Sequence, residues 1–438
     1  MEAGYQSFYA AHVAEMQERW EASLEVEKFD AAVVHSGSPM YSFLDDYEYA
    51  FRPNPHFLAW LPLTSHPDSV LMVVPGERPR LVYFQPDDFW YLPPSDPEAW
   101  WADHFTIEVV RDTDEWRDLV PPGRVAAIGD SPALADVYGK RRVNPSVLVD
   151  RLHLLRTRKT PYEVACIQQS AHSAAAAHAE AEKAFHEGET EYGIHIRYLA
   201  ACRHTDTELP YNNIVALNSH GAVLHYQARE RALPAEVHSF LIDGGCTTNA
   251  YASDITRTYA KEAGEFADLI EAMNSVERDL VGQVRAGLDY KDLFLDSHLQ
   301  ISGVLRDAGV IKVSPEDAVE SGLSLVFYPH GLGHFLGLQT HDVAGLIDNE
   351  RNAIPRPDGF PALRLTRVLE EGNVLTIEPG LYFIDSLLDK WRANKDASVI
   401  DWGRVEAFKP YGGIRIEDNI LVKQDGCDDL TRRAFAEL

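Results

Sequence analysis

One stretch, SFLIDGGCTTNAYASDITRTYA at residues 239–260, narrows the possible folds more than any other. An apolar run, a polar turn and a second run of β-branched and aromatic residues read as strand, turn and strand. A turn at Thr248–Asn249 sets Asp243 opposite Asp254. Directly opposed side chains have Cβ atoms only about 4.5–5.5 Å apart, and like charges there repel. Something positive is then expected between them, unless both aspartates point to solvent from an exposed ladder. A shifted register or a bulge would change the pairing.

Three further segments carry groups of the same chemistry. In GGIRIEDNILVK, alternation puts Arg415 and Glu417 on one face and Ile414 and Ile416 on the other. NVLTIEPGLYF is apolar up to Glu378 and stops at Pro379–Gly380, which places a carboxylate at a strand end beside a forced turn. YPHGLGHFLGLQTHD contains His330, His334 and His341. The glycines Gly331, Gly333 and Gly337 disfavour a helix, and no glutamate completes an HExxH motif, so a zincin is excluded and a glycine-rich loop presenting imidazoles is expected. Asp243, Asp254, His334, Glu378 and Glu417 suit hard or borderline ions such as manganese, cobalt or zinc. Two such ions about 3.5–4 Å apart lower the pKa of a shared water toward ~7, which makes a hydrolase centre.

At 438 residues the chain is long enough for two domains. Residues 1–155 alternate helical and strand patterns: an amphipathic run from Tyr5 to Leu24, apolar FDAAVVHSG, the hairpin-like SVLMVVPGERPRLVYFQ, and RVAAIGDS. This is a small α/β domain. The aromatic and proline-rich stretch from Asp45 to Pro62 fits neither period and reads as a surface loop or an interface. Residues 156–438 form the second domain. Thr160, Pro161 and Glu163 make a capping box that opens a long helix closed by Gly188. Helices near 190–202, 264–286 and 290–308 and strands near 239–245, 250–260, 373–378 and 412–422 indicate a helix-flanked, mostly antiparallel sheet.

A formal charge of −28 argues against nucleic acid or an anionic membrane as partner. No basic n-region with an apolar run opens the chain and no long apolar stretch occurs, so a soluble cytoplasmic protein is expected. Cys166, Cys202, Cys246 and Cys427 lack CxxC spacing and read as buried free thiols.

The motifs DGG, SDITRT, HGLGHFLG, TIEPG and IRIED, in that order, resemble the pita-bread metallopeptidases, which include methionine aminopeptidase, aminopeptidase P, creatinase and prolidase. FLDDYEYAFRPNP extends the likeness toward the bacterial prolidase group also described as organophosphorus acid anhydrolases. The resemblance implies an α/β N-terminal domain and an α+β pita-bread catalytic domain, of creatinase/aminopeptidase type. It implies Xaa-Pro dipeptide hydrolysis by hydroxide attack at two divalent ions per subunit, manganese first, with cobalt or zinc as alternatives. Asp243 would hold one ion, His334 and Glu378 the other, and Asp254 and Glu417 both. Glu378 would also shuttle a proton, and His225 would polarise the scissile carbonyl beside His341 and His330. Arg364 and Arg415 would bind the substrate carboxylate, while Tyr211, Leu224, Tyr290, Thr340 and Leu363 would line the pocket. A homodimer is implied, with Asp45 near the substrate ammonium group, and organophosphate hydrolysis is a possible side activity. Thr340 stands where a small apolar residue is usual, and Asn249–Ala250 replaces a glycine-bearing turn. The alternatives are an aminopeptidase P-like enzyme for longer peptides, a non-catalytic binding protein on the same fold, and a metal-free amidase; the intact ligand set speaks against the last two.

Overall fold

The computed structural model describes residues 4–438. It divides into two compact units, one reaching to Cys166 and including Asn249–Tyr251, the other comprising Ile167–Thr248 and Ala252–Leu438.

In the first unit, α1 (Tyr9–Glu27) buries Tyr9, His12, Val13, Met16, Trp20 and Leu24, a three-and-four spacing that makes one apolar face. The strands β1 (Ala31–His35), β2 (Val70–Val73), β3 (Arg80–Phe84), β4 (Thr106–Val110) and β5 (Val125–Ile128) form a mixed sheet in the order β4-β3-β2-β1-β5. β1 pairs antiparallel with β2 and parallel with β5, which explains why it is apolar throughout rather than alternating. The stretch from Asp45 to Pro62 is not uniformly irregular, contrary to expectation. Asn54 caps a one-turn helix, α2 (Pro55–Leu58), and Phe57 to Leu61 are buried, whereas Phe43, Leu44, Tyr47 and Tyr49 are exposed. One turn is too short to show a period in sequence. The helices α3 (Pro132–Tyr138) and α4 (Ser146–Arg156) complete this unit.

The long helix α5 (Pro161–Glu187) opens as expected: the Thr160 N–H donates to Glu163 Oε2 (2.7 Å) and the Glu163 N–H to Thr160 Oγ1 (3.4 Å). Gly188, at φ +86°, ends it. In the second unit, α6 (Glu191–Cys202), α7 (Glu265–Gln283) and α8 (Tyr290–Asp307) flank antiparallel ladders. β6 (Ile214–Leu217), β7 (Ser239–Gly244) and β10 (Ile255–Ala260) form one, in the order β10-β7-β6; β8 (Thr247–Thr248) and β9 (Tyr251–Ala252) are the short arms of the hairpin leading to β10. β11 (Val374–Ile377), β14 (Asp418–Lys423) and β15 (Gly426–Asp429) form another, and β12 (Gly380–Tyr382) pairs with β13 (Gly413–Arg415). A single bridge, Thr256 with Glu417, ties the two three-stranded ladders together where the acidic residues lie.

The hairpin register differs from expectation. The turn is centred on Asn249–Ala250, at φ +51° and +69°, the two left-handed residues that a two-residue mirror-image turn requires. Moving the turn by one residue moves the pairing by two, so Asp243 faces Thr256 rather than Asp254. A shift of two preserves the face. Asp254 therefore stays on the side of Asp243 but lies beyond the end of β10.

Candidate metal centre

Asp254 is held by the neighbouring ladder: its N–H donates to Asn419 Oδ1 (3.0 Å) and its carbonyl accepts from the Asn419 amide. Glu417 lies between β13 and β14, where its N–H donates to Thr256 O (3.1 Å) and its Oε2 accepts from the Thr256 hydroxyl (2.7 Å). Glu378 follows β11, and its N–H is fixed on Leu332 O at 2.8 Å. His334 is placed by a bond from its N–H to Thr376 Oγ1 at 3.2 Å. Its Nδ1 lies 2.9 Å from Phe335 O and donates to it, so Nε2 is the nitrogen that faces Asp254 (3.4 Å) and Glu378 (3.8 Å). Gly333, at φ +157°, lets this loop lie against β11: a Cβ there would come within 2.1 Å of Thr376 O.

Two buried carboxylates, Asp254 and Glu417, and two half-buried ones, Asp243 and Glu378, thus lie about one imidazole, and Arg415 is the guanidinium placed among them. It reaches Asp243 Oδ2 (2.6 Å), Thr256 Oγ1 (3.2 Å) and the Tyr382 hydroxyl (2.8 Å). Asp243 Oδ1 is buried with no hydrogen-bond partner, a costly state that a cation would relieve. Oxygen or nitrogen atoms of Asp254, His334 and Glu417 lie within 4.8 Å of one another. Burial drives the Glu417 and Asp243 carboxyls above their ordinary range, and their acidic neighbours add to this. For Asp254 burial acts upward, but the hydrogen bond and charge of His334 outweigh it and hold the carboxyl low. A donor set of buried hard oxygens and one imidazole, short of positive charge, fits divalent ions.

Burial also raises Glu378 from 4.5 to about 7, opposed by His334 and Arg415. A raised carboxyl favours the folded metal-free protein fully below pH 4.5, and that contribution is lost as pH rises through about 7. Metal must displace the same proton. Apparent metal affinity should therefore climb across this window and level off above it, with proton release on binding. Calorimetric titration in two buffers of different ionisation enthalpy measures the protons released; a flat affinity and no release would contradict the reading.

Around this set, Tyr211 donates to Asp254 Oδ1 (2.5 Å). His330 is neutral: burial lowers it to about 3, Nδ1 donates to Gly331 O (2.8 Å) and Nε2 accepts from Tyr382 (2.8 Å), itself the acceptor of Arg415. The His341 ring stands perpendicular to that of His334 at 4.3 Å. Burial first, then the charges of His334, Arg364 and His225, lower His341 to about 4; Arg364 and His225 are exposed. Leu224 and Thr340 are half-buried, and Thr340 Oγ1 has no hydrogen-bond partner.

Three expected substrate contacts have other partners. Tyr290 and Leu363 have no exposed surface; Tyr290 donates to Thr376 O (3.2 Å) and Leu363 packs beneath Gly331. Arg415 has all three guanidinium nitrogens engaged by protein groups, which leaves Arg364 as the arginine open to a ligand. Asp45, in the first unit, is exposed. Thr256, Tyr382 and Asn419 were missed, because a threonine, a tyrosine and an asparagine in strand sequence carry no signal of their own. Their only clue is spacing, Thr256 two residues beyond Asp254 and Tyr382 four beyond Glu378.

Comparison with known proteins agrees with this geometry. Residues 165–424 match the pattern of metallopeptidase family M24, and residues 7–154 match the domain described as Xaa-Pro dipeptidase, N-terminal domain. The chain belongs to metallopeptidase family M24. It is 46% identical over 434 residues to the Xaa-Pro dipeptidases of Xanthomonas axonopodis pv. citri and Stenotrophomonas maltophilia R551-3, covering 98% of the chain and 98% of each relative. The fold is that of Pseudomonas aeruginosa aminopeptidase PepP (TM-score 0.73, 21% identity, 99% of this chain and 98% of that one). It is also that of Escherichia coli aminopeptidase P with the inhibitor Pro-Leu (TM-score 0.73, 23% identity, 96% and 95%). The M24 enzyme is therefore a hydrolase with the pita-bread catalytic domain expected from its motifs, and among the described residues no helix is long and apolar enough to cross a membrane.

Proposed function

We propose that this M24 enzyme is a dinuclear-metal dipeptidase acting on Xaa-Pro. The observation that carries the reading is the cluster of Asp254, His334 and Glu417 donors, together with the unpartnered Asp243 Oδ1, in a chain whose full-length relatives at 46% identity are named Xaa-Pro dipeptidase. Asp243 would hold one ion, His334 and Glu378 the other, and Asp254 and Glu417 both, with manganese the first candidate. Bound ions supply Lewis acidity toward a carbonyl and acidify water. Glu378 would accept a proton and be the group to deliver it to the departing proline nitrogen. The amide before proline has no N–H, so recognition has to rest on other groups. His225 and His341 would face the carbonyl, and Arg364 would be the cation for the free carboxylate.

Charge-assisted hydrogen bonds are worth about 1.5–3 kcal/mol, roughly ten- to a hundredfold in binding. Arg364→Ala should raise KM for Ala-Pro and Leu-Pro by that factor with a smaller effect on kcat. A panel of Xaa-Pro, Xaa-Pro-amide, Xaa-Pro-Xaa and diisopropyl fluorophosphate tests the whole reading. The free dipeptide should be cleaved fastest. The fluorophosphate should be cleaved slowly and metal-dependently, and faster in Thr340→Val, which removes the unpaired hydroxyl. Equal cleavage of dipeptide and amide would refute carboxylate recognition, and preference for the tripeptide would favour an aminopeptidase.

The reading includes a homodimer. Phe43, Leu44, Tyr47 and Tyr49 surround Asp45 as exposed aromatic and aliphatic surface, the composition of an interface. Asp45 from a second copy would then meet the substrate ammonium group and limit substrate length. Sedimentation should show a dimer at micromolar concentration, and a fully active monomer would contradict this. A cytoplasmic location fits the four free thiols.

A further inference from the structure

Cys202, the last residue of α6, and Cys246, two residues past the end of β7, are distant in sequence but adjacent in space. Their sulfurs and a ring nitrogen of His204 lie within 4.8 Å of one another. Cys246 has no exposed surface, whereas Cys202 and the half-buried His204 border solvent. His204 Nδ1 is 2.8 Å from Cys202 O, and Nε2 is 3.1 Å from Thr247 O and 3.3 Å from the Thr247 nitrogen. Backbone groups take up both ring nitrogens, and Nε2 also accepts from the Thr247 N–H, so the ring stands beside the sulfurs without completing a soft-metal site. Apolar residues pack around the two cysteines, and the Tyr198 hydroxyl lies 3.8 Å from Cys246 Sγ.

We propose that Cys202 and Cys246 are an oxidisable dithiol, with Cys202 the thiol attacked by a hydroperoxide and Cys246 the resolving thiol. In the first step the Cys202 thiolate takes an oxygen from the hydroperoxide. The S–O bond forms, the O–O bond breaks, and the departing alkoxide or hydroxide takes up a proton, so Cys202 becomes a sulfenic acid. In the second, the Cys246 sulfur attacks the Cys202 sulfur, the S–S bond forms, the S–O bond breaks, and water leaves with the Cys246 proton. Two thiols lose two electrons and two hydrogens, and the hydroperoxide is reduced to alcohol (or water) and water. The sulfurs, within 4.8 Å of each other, have only to close to about 2.05 Å. Cys202 is where that movement is easiest, since it ends a helix and is followed by the left-handed Arg203. The electrostatics act in the same direction: the Cys246 thiol first, then His204, hold Cys202 below the usual thiol range, and Cys202 raises His204. The new bond would tie the end of α6 to the strand that carries Asp243. Tyr198 of α6 already touches that strand, 3.1 Å from a Cβ placed on Gly244.

The test is titration of the full-length protein with hydrogen peroxide at neutral pH, read by thiol count after denaturation, intact mass and non-reduced peptide mapping. Titratable thiols should fall from four to two. The mass should drop by two hydrogens, a peptide joining Cys202 to Cys246 should appear, and dithiothreitol should reverse all three. Cys246→Ser should stop at a one-oxygen adduct on Cys202, Cys202→Ser should remain unoxidised, and His204→Gln should slow the reaction severalfold. Oxidation confined to Cys166 or Cys427, four thiols surviving excess peroxide, or a disulfide formed equally fast in His204→Gln would overturn the assignment. None of these readouts depends on the peptidase reaction, so the result stands apart from the dipeptidase reading.

Discussion

Exhaustive removal of divalent metal should leave the protein without measurable peptidase activity, and re-addition of manganese should restore it. The described residues around the site offer carboxylates, imidazoles and an Arg415 engaged at all three nitrogens, and the Thr256 and Tyr211 hydroxyls are held by the carboxylates of Glu417 and Asp254. Loss of groups that merely support a metal ligand costs about 10–100-fold, so removing a ligand shared by both ions should exceed ~100-fold. Asp254→Asn and Glu417→Gln should each do so while retaining the neutral hydrogen bonds to Tyr211 and Thr256. A stability measurement separates this from misfolding. Burial and the neighbouring carboxylates disfavour the Glu417 charge when no cation is present, so Glu417→Gln should unfold no earlier than the parent when both are metal-free. Full turnover of the chelated protein, or near-parental activity of Glu417→Gln, would remove the metal from the mechanism.

The second large effect is on folding. Next to Glu417, the carboxylate of Asp418 is completely buried and takes Arg257 Nη2 on one oxygen (2.7 Å) and Arg432 Nε on the other (2.7 Å). Arg257 also donates to Thr256 O (2.9 Å) and Glu417 O (3.0 Å), so the same side chain fixes the backbone on both sides of the Thr256–Glu417 bridge. Glu277, buried beside them and paired with Arg432, is pushed up by burial and by Asp418. Breaking a buried pair from one side typically costs about 3–5 kcal/mol because it strands the other charge. Arg257→Met should destabilise the protein by that amount, seen as a lower urea midpoint. Adding Asp418→Asn should recover part of the loss, because the buried carboxylate is then no longer a charge held by Arg432 alone. If Arg257→Met alone shifted the midpoint by less than the double variant, the pair would not be the source of the effect.

Both predictions concern residues that differ in how readable they were. The capping box at Thr160 and Glu163 was legible because its chemistry is local: two side chains three residues apart satisfy each other's backbone donors. Glu378 at the end of β11 was legible for the same kind of reason, since Pro379 cannot continue the strand and forces the turn. The one-turn helix at Pro55–Leu58 and the Asn249–Ala250 turn were not, since a single turn has no period and an alanine at positive φ carries no warning.

By itself the sequence determined which donors the chain possesses, the period of the elements that carry them and the ends of the longest helices, because these depend on neighbours a few residues apart. Only the tertiary structure decided that Asp243 faces Thr256, that Arg415 is spent on Asp243, Thr256 and Tyr382, that Tyr290 supports the backbone of β11, and that Cys202 meets Cys246. Each of these is a contact between segments far apart in the chain. Which partner a buried polar group takes there is settled by what else must be buried and satisfied at the same point in space.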